Sequence, residues 1–298
     1  MMAASAYDAL FLSLMTSLPE PTPGLAVSLG AAFLGFYTHA GFLQGLAERG
    51  VWPEHLAGCS SGAVVAGLAA TGLAPERILE FLLSAGFRWG FFEPRSALKY
   101  LGLSLVGRSP TGMLTGRKAI VLLQKHCGAA RIEDLRRPTL AVSVTNLTHM
   151  QAEMRSHGPL AETMIASCAF PGIFQVQALD GGMCWDGGIA NGLPVSHWEN
   201  NDGVRRIVAH SVQPPDLMPP ESGPQAAYAR AMEAAMRENF ALRARALRAA
   251  GRLVELATTK AQRPGFYISQ KAALRCFEAG RETGRTAAVD AAAALTTS

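Results

Sequence analysis

Residues 55–72 read HLAGCSSGAVVAGLAATG and carry the clearest signal of the fold. The first part, residues 55–60, is a short apolar run typical of a buried strand. The small residues from position 61 onward predict a helix that starts directly after this strand. Between the two, GCSSG at residues 58–62 has the form G-x-S-x-G, which fits a sharp turn from a strand into a helix.

The neighbouring segments continue this alternation. An apolar run at 25–30 predicts a strand, and residues 36–50 and 75–87 have helical spacing. Strands that alternate with helices in this way favour a parallel α/β sheet. Further strands are predicted at residues 139–147, 150–155, 174–179, 183–188 and 205–212, with a short helix at 160–168.

Three other stretches bound the predicted domain. Residues 1–23 are an apolar lead-in closed by PEPTPG, and the prolines of residues 213–224 mark a later break. Residues 88–113 are rich in glycine, serine and aromatics, so we expect an irregular loop or lid over a site. We therefore predict one catalytic domain at 24–212, with a C-terminal helical part at 213–298 packed on the same domain.

The composition excludes several classes of protein. The chain has 298 residues, of which 49% are hydrophobic and 17% charged, with 30 glycines and 17 prolines. A disordered tail, a collagen-like repeat and a small disulfide scaffold are all incompatible with these values. The charged fraction lies below the ~25% typical of soluble domains, which indicates a large core or an apolar working surface. A net charge of +4 gives no case for a nucleic-acid partner.

The cysteines and the N-terminus predict the compartment. The five cysteines are an odd number without a C-x-x-C pair, as in a cytosolic protein with reduced thiols. No signal peptide is expected, because the N-terminus lacks a basic region and Asp8 interrupts its short apolar stretch. No apolar run reaches the ~18 residues of a transmembrane helix. We expect a cytoplasmic protein that is able to contact a membrane peripherally.

Ser60 is the candidate nucleophile. It occupies the strand-to-helix turn, whose tight backbone requires Gly58 and Gly62 on either side. Its Oγ atom would be exposed at the carboxyl end of the strand. The N-terminus of the following helix would offer free N–H groups and partial positive charge to a developing oxyanion.

Asp186 is the candidate proton acceptor. In WDGGIANGLPV it ends an apolar stretch and is followed by Gly187 and Gly188. Such a tight turn lets a carboxylate approach another backbone closely, so Asp186 would accept the proton of Ser60 without an intervening histidine. An Asx turn that closes a hairpin is the alternative reading of this motif.

The segment after the first strand is the candidate oxyanion loop. Consecutive N–H groups from Gly30, Ala31, Ala32 and Phe33 would form an anion-binding concavity that faces the serine. A phosphate-binding loop is the competing interpretation. The lysine-bearing P-loop pattern is absent, however, and Ala32 breaks the form G-x-G-x-x-G.

In this order and spacing, the three segments resemble the patatin-like phospholipase family. The resemblance rests on the loop Gly30–Gly35, on Ser60 in G-x-S-x-G and on the D-G-G turn at Asp186. The stretch ASCAFPGIF, residues 166–174, is similar to the family's segment before the aspartate turn. NGLPV, residues 191–195, is similar to the segment that follows it.

The resemblance extends from Leu25 to Ser211 and implies a three-layer α/β/α sandwich with a mostly parallel central sheet. It implies a Ser60–Asp186 dyad that hydrolyses acyl esters of phospholipids or neutral lipids through an acyl-enzyme. The implied partner is a lipid substrate, with transient membrane-surface contact and no metal, cofactor or nucleic acid. The oligomeric state stays open.

The candidate loop departs from the family pattern G-G-G-x-[RK]-G. Ala31 and Ala32 replace two glycines, and Leu34 stands at the position of the basic residue, before the final Gly35. The run FLGFY, residues 33–37, is similar to the neutral-lipid branch that includes adipose triglyceride lipase. We expect the two methyl groups to restrict positive φ angles and to narrow the approach to the loop.

Two further interpretations stay open. One is a pseudoenzyme that binds acyl chains or membranes on the same scaffold. The other is an α/β-hydrolase with a Ser-Asp-His triad, because His197 and His210 follow the aspartate in the required order. We interpret His39 as a packing or capping residue, and FRWGFF, residues 87–92, as core or lid with an acyl groove as the alternative.

Residues 226–261 have the pattern of one long helix. Five of its arginines fall within an arc of about 80° on a helical wheel, namely Arg230, Arg237, Arg245, Arg248 and Arg252. A second side collects the apolar residues Met232, Met236, Phe240, Leu247 and Val254. We expect a solvated face on a packed helix, with a basic surface for anionic lipid headgroups as the alternative.

Overall fold

The computed structural model describes residues 18–91, 93–105, 107, 110–213, 223–261 and 269–295. Its strands are β1 Pro21–Leu29, β2 Trp52–Cys59, β3 Gly112–Leu114, β4 Thr139–Asn146, β5 Gln151–Arg155, β6 Gly172–Phe174, β7 Gln177–Leu179, β8 Gly182–Asp186, β9 Arg206–Gln213 and β10 Leu253–Lys260. Its α-helices are α1 Phe36–Glu48, α2 Ser61–Ala70, α3 Pro75–Leu83, α4 Ala85–Gly90, α5 Pro94–Leu105, α6 Arg117–Cys127, α7 Leu160–Ser167, α8 Gly188–Asn191, α9 Pro224–Ala249 and α10 Gln270–Leu295.

Within the described part of the chain, eight strands form one mixed sheet in the order β10-β9-β1-β2-β4-β8-β7, with β5 also paired to β4. The strands from β10 to β4 along this order are parallel to their neighbours. β5 and β8 are antiparallel to β4, and β7 is antiparallel to β8. The predicted α/β fold with a mostly parallel sheet is confirmed.

Helices cover both faces of the sheet. Along β1, Leu25, Val27 and Leu29 pack into a core with α1, α2, α3 and α10. Ala26 points to the opposite face, where a second core contains Phe240 of α9. This period-two alternation between two buried faces is what a strand in the middle layer of a three-layer sandwich requires.

α1 follows the candidate oxyanion loop and packs closely against α10. Gly41 and Gly45 of α1 face Gly280 and Gly284 of α10, and a Cβ atom on any of the four would overlap a backbone carbonyl of the facing helix. Only glycine therefore permits this approach. At the end of α1, Glu48 accepts hydrogen bonds of 2.7 Å from two arginines of α10.

The expectation of irregular structure at residues 88–113 is wrong. This segment contains the end of α4, all of α5 and most of β3. The helical spacing of Leu98, Leu101 and Leu105 is present in α5, but the glycine, serine and aromatic content of the segment outweighed it in our interpretation.

The prediction of one helix over residues 226–261 is also wrong at its C-terminal end. α9 ends at Ala249, and β10 follows as an edge strand parallel to β9. Val254 therefore belongs to a strand, whose side chain joins Phe240 and Leu247 in the second core. A short buried strand and a helical segment have the same apolar content, so periodicity alone does not separate them.

The predicted basic arc on this segment is largely bound to the protein itself. Arg252 lies beyond the helix and hydrogen-bonds the carbonyl of Val204. Arg248 donates to the carbonyl of Val254 at 2.6 Å, and Arg237 forms an ion pair with Glu233. These contacts agree with the packed helix that we expected rather than with a surface for lipid headgroups.

The boundaries of the predicted domain stay predictions. β1 begins at Pro21, inside the predicted lead-in, and residues 1–17 lie outside the described residues. Most of the proline-rich break, residues 214–222, also lies outside them. The part after residue 213 contains β10 as well as helices, and this strand extends the central sheet.

The glycine contacts between α1 and α10 predict the effect of a single methyl group. Gly45→Ala should gain up to ~1 kcal/mol of helix propensity but lose about 1–3 kcal/mol through overlap with the backbone of α10. We expect a lower midpoint of thermal unfolding. Gly102→Ala is the matched control, because a Cβ atom at this position of α5 meets no atom within 4 Å. A midpoint for Gly45→Ala as high as that of Gly102→Ala would contradict the packing, because both variants gain the same helix propensity and only Gly45→Ala meets the facing helix.

Candidate active site

One edge of β4 brings the two candidate catalytic residues together. β5 pairs with residues 142–146 of β4, so β2 and β8 must share the opposite edge. On that edge Cys59 pairs with Ser143, and Asp186 pairs with the next residue, Val144. The ends of β2 and β8 therefore meet, and Ser60 Oγ donates a hydrogen bond of 2.9 Å to Asp186 Oδ2.

The backbone at Ser60 has an uncommon conformation. Its φ is 53° and its ψ is −122°, and α2 begins at the next residue. A non-glycine residue at such angles costs of order 1–3 kcal/mol, which the surrounding structure must offset. The flanking glycines allow this turn to pack, because a Cβ atom at Gly62 would overlap the carbonyl of Leu29 and one at Gly58 would overlap Ala63.

Ser167 fixes the turn from the side, a role that the sequence analysis missed. Its Oγ atom accepts a hydrogen bond of 2.9 Å from the N–H of Ser60 and donates one of 2.6 Å to the carbonyl of Ser143. The hydroxyl thus joins the candidate nucleophile to β4. The stretch ASCAFPGIF contains this serine, but nothing in a linear pattern shows which backbone group a hydroxyl contacts.

Asp186 uses its two carboxylate oxygens differently. Oδ1 accepts a hydrogen bond of 2.7 Å from the N–H of Gly188, which is an Asx turn, while Oδ2 accepts from Ser60. The Asx turn is therefore present, although it leads into α8 instead of closing a hairpin, and it leaves Oδ2 in contact with the candidate nucleophile. Thr145 donates to the main-chain carbonyl of Asp186 at 2.8 Å, and a Cβ atom at Gly187 would overlap the carbonyl of Ser143.

Burial tunes the basicity of this carboxylate. Desolvation raises the pKa of Asp186 to about 6, against the lowering effect of the hydrogen bonds from Gly188 and Ser60. A base that titrates near neutral pH combines appreciable proton affinity with a mostly ionised form. The site therefore has the electrostatics of a general base without a histidine.

Two backbone N–H groups of the candidate oxyanion loop already donate hydrogen bonds to main-chain carbonyls of the protein. The N–H of Gly30 donates to the carbonyl of His210 at 3.0 Å, and the N–H of Ala31 donates to the carbonyl of Gly192 at 2.6 Å. Both groups hold the loop against later segments of the chain. Of the four predicted oxyanion donors, Gly30 and Ala31 thus already donate within the protein.

The loop accommodates its alanines because another residue takes the left-handed conformation. Leu34 has a φ of 55°, whereas neither Ala31 nor Ala32 has a positive φ. The carbonyl of Ala32 accepts hydrogen bonds from the N–H of Gly35 at 3.1 Å and from Ser61 Oγ at 2.7 Å. Ser61, the second serine of GCSSG, thereby joins the loop to the helix that begins beside Ser60.

The histidines lie apart from the carboxylate. His39 and His210 are buried with their Nδ1 atoms 2.9 Å apart, and His210 Nε2 lies 2.9 Å from Thr259 Oγ1. Desolvation lowers the pKa of His39 to about 3, so it is neutral, in keeping with a packing residue. His197 is exposed. In the described part of the chain neither carboxylate oxygen of Asp186 bonds a histidine, so the geometry gives a Ser-Asp-His triad no support.

Aromatic side chains connect α4 with both sides of the site. Phe36, directly after the oxyanion loop, packs edge-on against Phe87 with ring centroids 5.2 Å apart. Phe91 lies 6.2 Å from Phe36 and 6.2 Å from Phe174 of β6. Phe87 and Phe91 thus pack inward, Trp89 is half exposed, and the last residue of FRWGFF lies outside the described residues.

The described residues contain neither a cluster of metal-binding side chains nor a helix that could span a membrane. No three histidine, cysteine, aspartate or glutamate side chains lie there in an arrangement that would hold a metal ion. Among the helices of these ranges, none combines the length and the apolar character needed to cross a bilayer.

The structure combines an α/β/α sandwich with a serine on a strand-to-helix turn, and this serine donates a hydrogen bond directly to an aspartate. These features define a class of proteins, the α/β/α sandwiches with a serine–aspartate pair. Residues 27–197 match the family model described as patatin-like phospholipase, and the chain belongs to this family. The resemblance noted in the sequence is thereby confirmed. Membership supports lipid hydrolase activity.

The chain is similar to curated proteins over part of their length. An NTE family protein of Mycobacterium tuberculosis is 34% identical over 176 residues, which cover 59% of this chain and 45% of that protein. The lysophospholipase NTE1 of Cryptococcus neoformans is 29% identical over 188 residues, covering 63% of this chain and 11% of that protein. The chain thus spans less than half the length of these relatives.

Solved structures with a similar arrangement are more distant in sequence. VipD from Legionella pneumophila is 15% identical, with a TM-score of 0.45, over 91% of this chain and 66% of that chain. ExoU in its complex with SpcU from Pseudomonas aeruginosa is 14% identical, with a TM-score of 0.39, over 90% of this chain and 51% of that chain.

The contacts of Ser167 predict a change in the reactivity of the candidate nucleophile. Ser167→Ala removes the acceptor for the N–H of Ser60 and the donor for the carbonyl of Ser143. Losing about 1–1.5 kcal/mol of this support should slow labelling of Ser60 by a fluorophosphonate about tenfold. Ser28→Ala is the matched control, since Ser28 Oγ is buried without a hydrogen-bond partner in the described structure. Equal labelling rates for the two variants would contradict the positioning role.

Proposed function

We propose that this chain is a serine lipid acyl hydrolase that cleaves carboxylic esters of phospholipids or neutral lipids. The proposal rests above all on one observation, the hydrogen bond of 2.9 Å from Ser60 Oγ to Asp186 Oδ2. A serine is a weak nucleophile unless an adjacent base accepts its proton, and Asp186 is the group in that position.

The reaction follows from this pair. Asp186 Oδ2 accepts the proton as Ser60 Oγ attacks the ester carbonyl, and the resulting tetrahedral intermediate expels the alcohol, which leaves with that proton. Water then attacks the acyl-enzyme, again with the carboxylate as proton acceptor. The bond between the acyl carbon and Ser60 Oγ breaks, the fatty acid is released, and Asp186 returns the proton to Oγ. The hydrogen bond from Gly188 to Oδ1 holds the carboxylate so that Oδ2 keeps facing the serine through both steps.

The oxyanion would be held by backbone donors. Ala32 carries the main part of this role, because in the described structure its N–H has no hydrogen-bond partner, while Gly30 and Ala31 donate to carbonyls. Phe33 follows as the next predicted donor. The N-terminus of α2 contributes partial positive charge at Ser61, directly beside the nucleophile. Backbone groups that are already oriented need little reorganisation as charge develops.

The substrate class is the less specific part of the proposal. Family membership favours an ester of a lipid, and one similar protein is named a lysophospholipase. Leu34 replaces the basic residue of the usual loop, so this position offers no cation to a phosphate group. A neutral lipid or a lysolipid therefore fits the site as well as a diacyl phospholipid.

A second candidate function is a pseudoenzyme that binds acyl chains on this scaffold. The observation in its favour is that Gly30 and Ala31, two of the predicted oxyanion donors, already donate to carbonyls of the protein. Turnover separates the two functions, because a pseudoenzyme would bind lipid without releasing fatty acid.

Substitution of the two site residues tests the proposed hydrolase. Ser60→Ala should reduce hydrolysis of a p-nitrophenyl ester to background, because the attacking oxygen is gone. Asp186→Asn should lower kcat by about 10²–10⁴-fold, the range that a general base contributes. Ser28→Ala again serves as the control with unchanged rates. Wild-type activity that survives in Ser60→Ala would rule out the dyad.

The raised pKa of Asp186 predicts the pH dependence. Only the ionised carboxylate accepts the proton of Ser60, so kcat/KM should fall as the pH drops through about 6 and level off above it. This fall of kcat/KM at acidic pH should be absent from the residual activity of Asp186→Asn. A profile of kcat/KM that stays flat between about pH 5 and 8 would show that Asp186 is not the titrating base.

A further inference from the structure

α5 is a helix whose apolar residues face solvent. None of its twelve residues, all of which the structure describes, is buried. Leu98, Leu101 and Leu105 are 71%, 59% and 82% exposed. At ~100° per residue these leucines fall within an arc of about 60°, so they form one continuous stripe, the α5 face. In a globular protein such a stripe is normally the part of the helix that packs on the core.

The α5 face adjoins elements that form the candidate active site. α4, which precedes it, packs through Phe87 against Phe36 at the end of the oxyanion loop. β3, which follows it, pairs with β6, and β6 leads toward the strand that carries Asp186. Trp89 on α4 is 51% exposed, and Phe33 in the oxyanion loop is exposed as well. Exposed apolar side chains therefore occur on α5, on the neighbouring α4 and in the oxyanion loop.

The charged side chains of α5 itself are all basic. The charged residues of α5 are Arg95 and Lys99, both exposed, and the helical wheel places them along one flank of the leucine stripe. Across residues 85–118 the sequence has six basic residues and one acidic residue, Glu93. Glu93 is turned inward, where its carboxylate accepts hydrogen bonds from Thr115 N and Oγ1 at 2.7 and 2.8 Å.

We propose that the α5 face is an interfacial helix that docks on a lipid bilayer containing anionic headgroups. The three leucines enter the boundary between headgroups and acyl chains, and Trp89 lies at headgroup level, where indole rings are favoured. Arg95 and Lys99 extend from the flank of the stripe toward lipid phosphates. A lipid surface fits better than a folded partner, because flexible cations beside leucines suit a fluid, negatively charged, apolar medium.

Docking through this face would place the serine at the membrane surface. The inference rests on the proposed function, since a lipid hydrolase must take its substrate from such a surface. α5 leads into β3. The carbonyl of Thr115, directly after β3, accepts a hydrogen bond from Gln177 of β7, and β7 pairs with β8, the strand that ends at Asp186. The oxyanion loop, with Phe33 exposed, then faces the lipid.

The test compares two sets of leucines in the full chain. One variant carries Leu98→Ser, Leu101→Ser and Leu105→Ser, and the matched control carries Leu242→Ser and Leu253→Ser, which are 54% and 51% exposed on α9 and β10. Binding is measured by co-sedimentation with vesicles of phosphatidylcholine, with and without phosphatidylglycerol. The α5 variant should bind the mixed vesicles at least about tenfold more weakly, while the control binds as wild type does. Unfolding midpoints close to that of wild type show that both variants fold.

Charge and activity measurements complete the test. Arg95→Gln with Lys99→Gln should weaken binding to the vesicles with phosphatidylglycerol and leave the weaker binding to pure phosphatidylcholine unchanged. The leucine variant should hydrolyse a water-soluble p-nitrophenyl ester at the wild-type rate and a vesicle-borne lipid more slowly. Failure of the proposed function would appear separately, as ester turnover that does not depend on Ser60.

Three outcomes would overturn the docking proposal. The first is wild-type protein that does not bind the mixed vesicles. The second is an α5 variant that binds them as well as the control variant does. The third is a wild-type dimer that the leucine substitutions dissociate, because the stripe would then be covered by a second copy of the chain.

Discussion

The shared edge of β4 determines where the chemistry of this protein can occur. β2 pairs with residues 139–143 of β4, and β8 pairs with residues 144–146 on the same edge. The last residue of β8 therefore lies directly after the last residue of β2 along that edge. Ser60 and Asp186 are 126 residues apart in sequence, yet main-chain pairing with a third strand fixes the distance between them. Ser167 then ties the turn after β2 to the same strand. A displacement of β4 would therefore move nucleophile and base together rather than apart.

In the reaction that we propose, the carboxylate of Asp186 combines two roles that belong to two different side chains in a Ser-His-Asp triad. In a triad the histidine exchanges the proton and the carboxylate orients the histidine. Here one oxygen of Asp186 accepts a hydrogen bond from the turn at Gly188 and the other accepts one from Ser60, so in the reaction that we propose a single side chain is both oriented and basic. Burial supplies the basicity that an exposed aspartate lacks. The buried pair of His39 and His210 is left as a structural contact behind the oxyanion loop, where the His210 carbonyl accepts from Gly30.

The features that could be predicted from the sequence are those that depend on residues close together along the chain. The alternation of strands and helices, the turn at Ser60 and the glycines after Asp186 are all local patterns, and the family membership they indicated is confirmed. Two features had no such local signal. The hydroxyl of Ser167 gains its role from a contact across the fold, and the donors of Gly30 and Ala31 are used by carbonyls at residues 210 and 192. α5 was missed because the glycine, serine and aromatic content of residues 88–113 outweighed the spacing of its leucines, and β10 was missed because an edge strand after a helix can have the same composition as the end of that helix.

The packing of α1 on α10 has a consequence for the order in which the protein can be assembled. Glu48 of α1 and Arg281 of α10 are 233 residues apart in sequence. The glycines between the two helices fit the backbone of the facing helix so closely that a Cβ atom would overlap it. During synthesis α1 is made before α10, so the face of α1 that packs on α10 stays uncovered until residues 270–295 have been synthesised. Contacts of such long sequence separation form late, and apolar surface that waits for them is prone to aggregation. The close packing that stabilises the folded protein is therefore also a contact that the growing chain makes only after both helices have been synthesised.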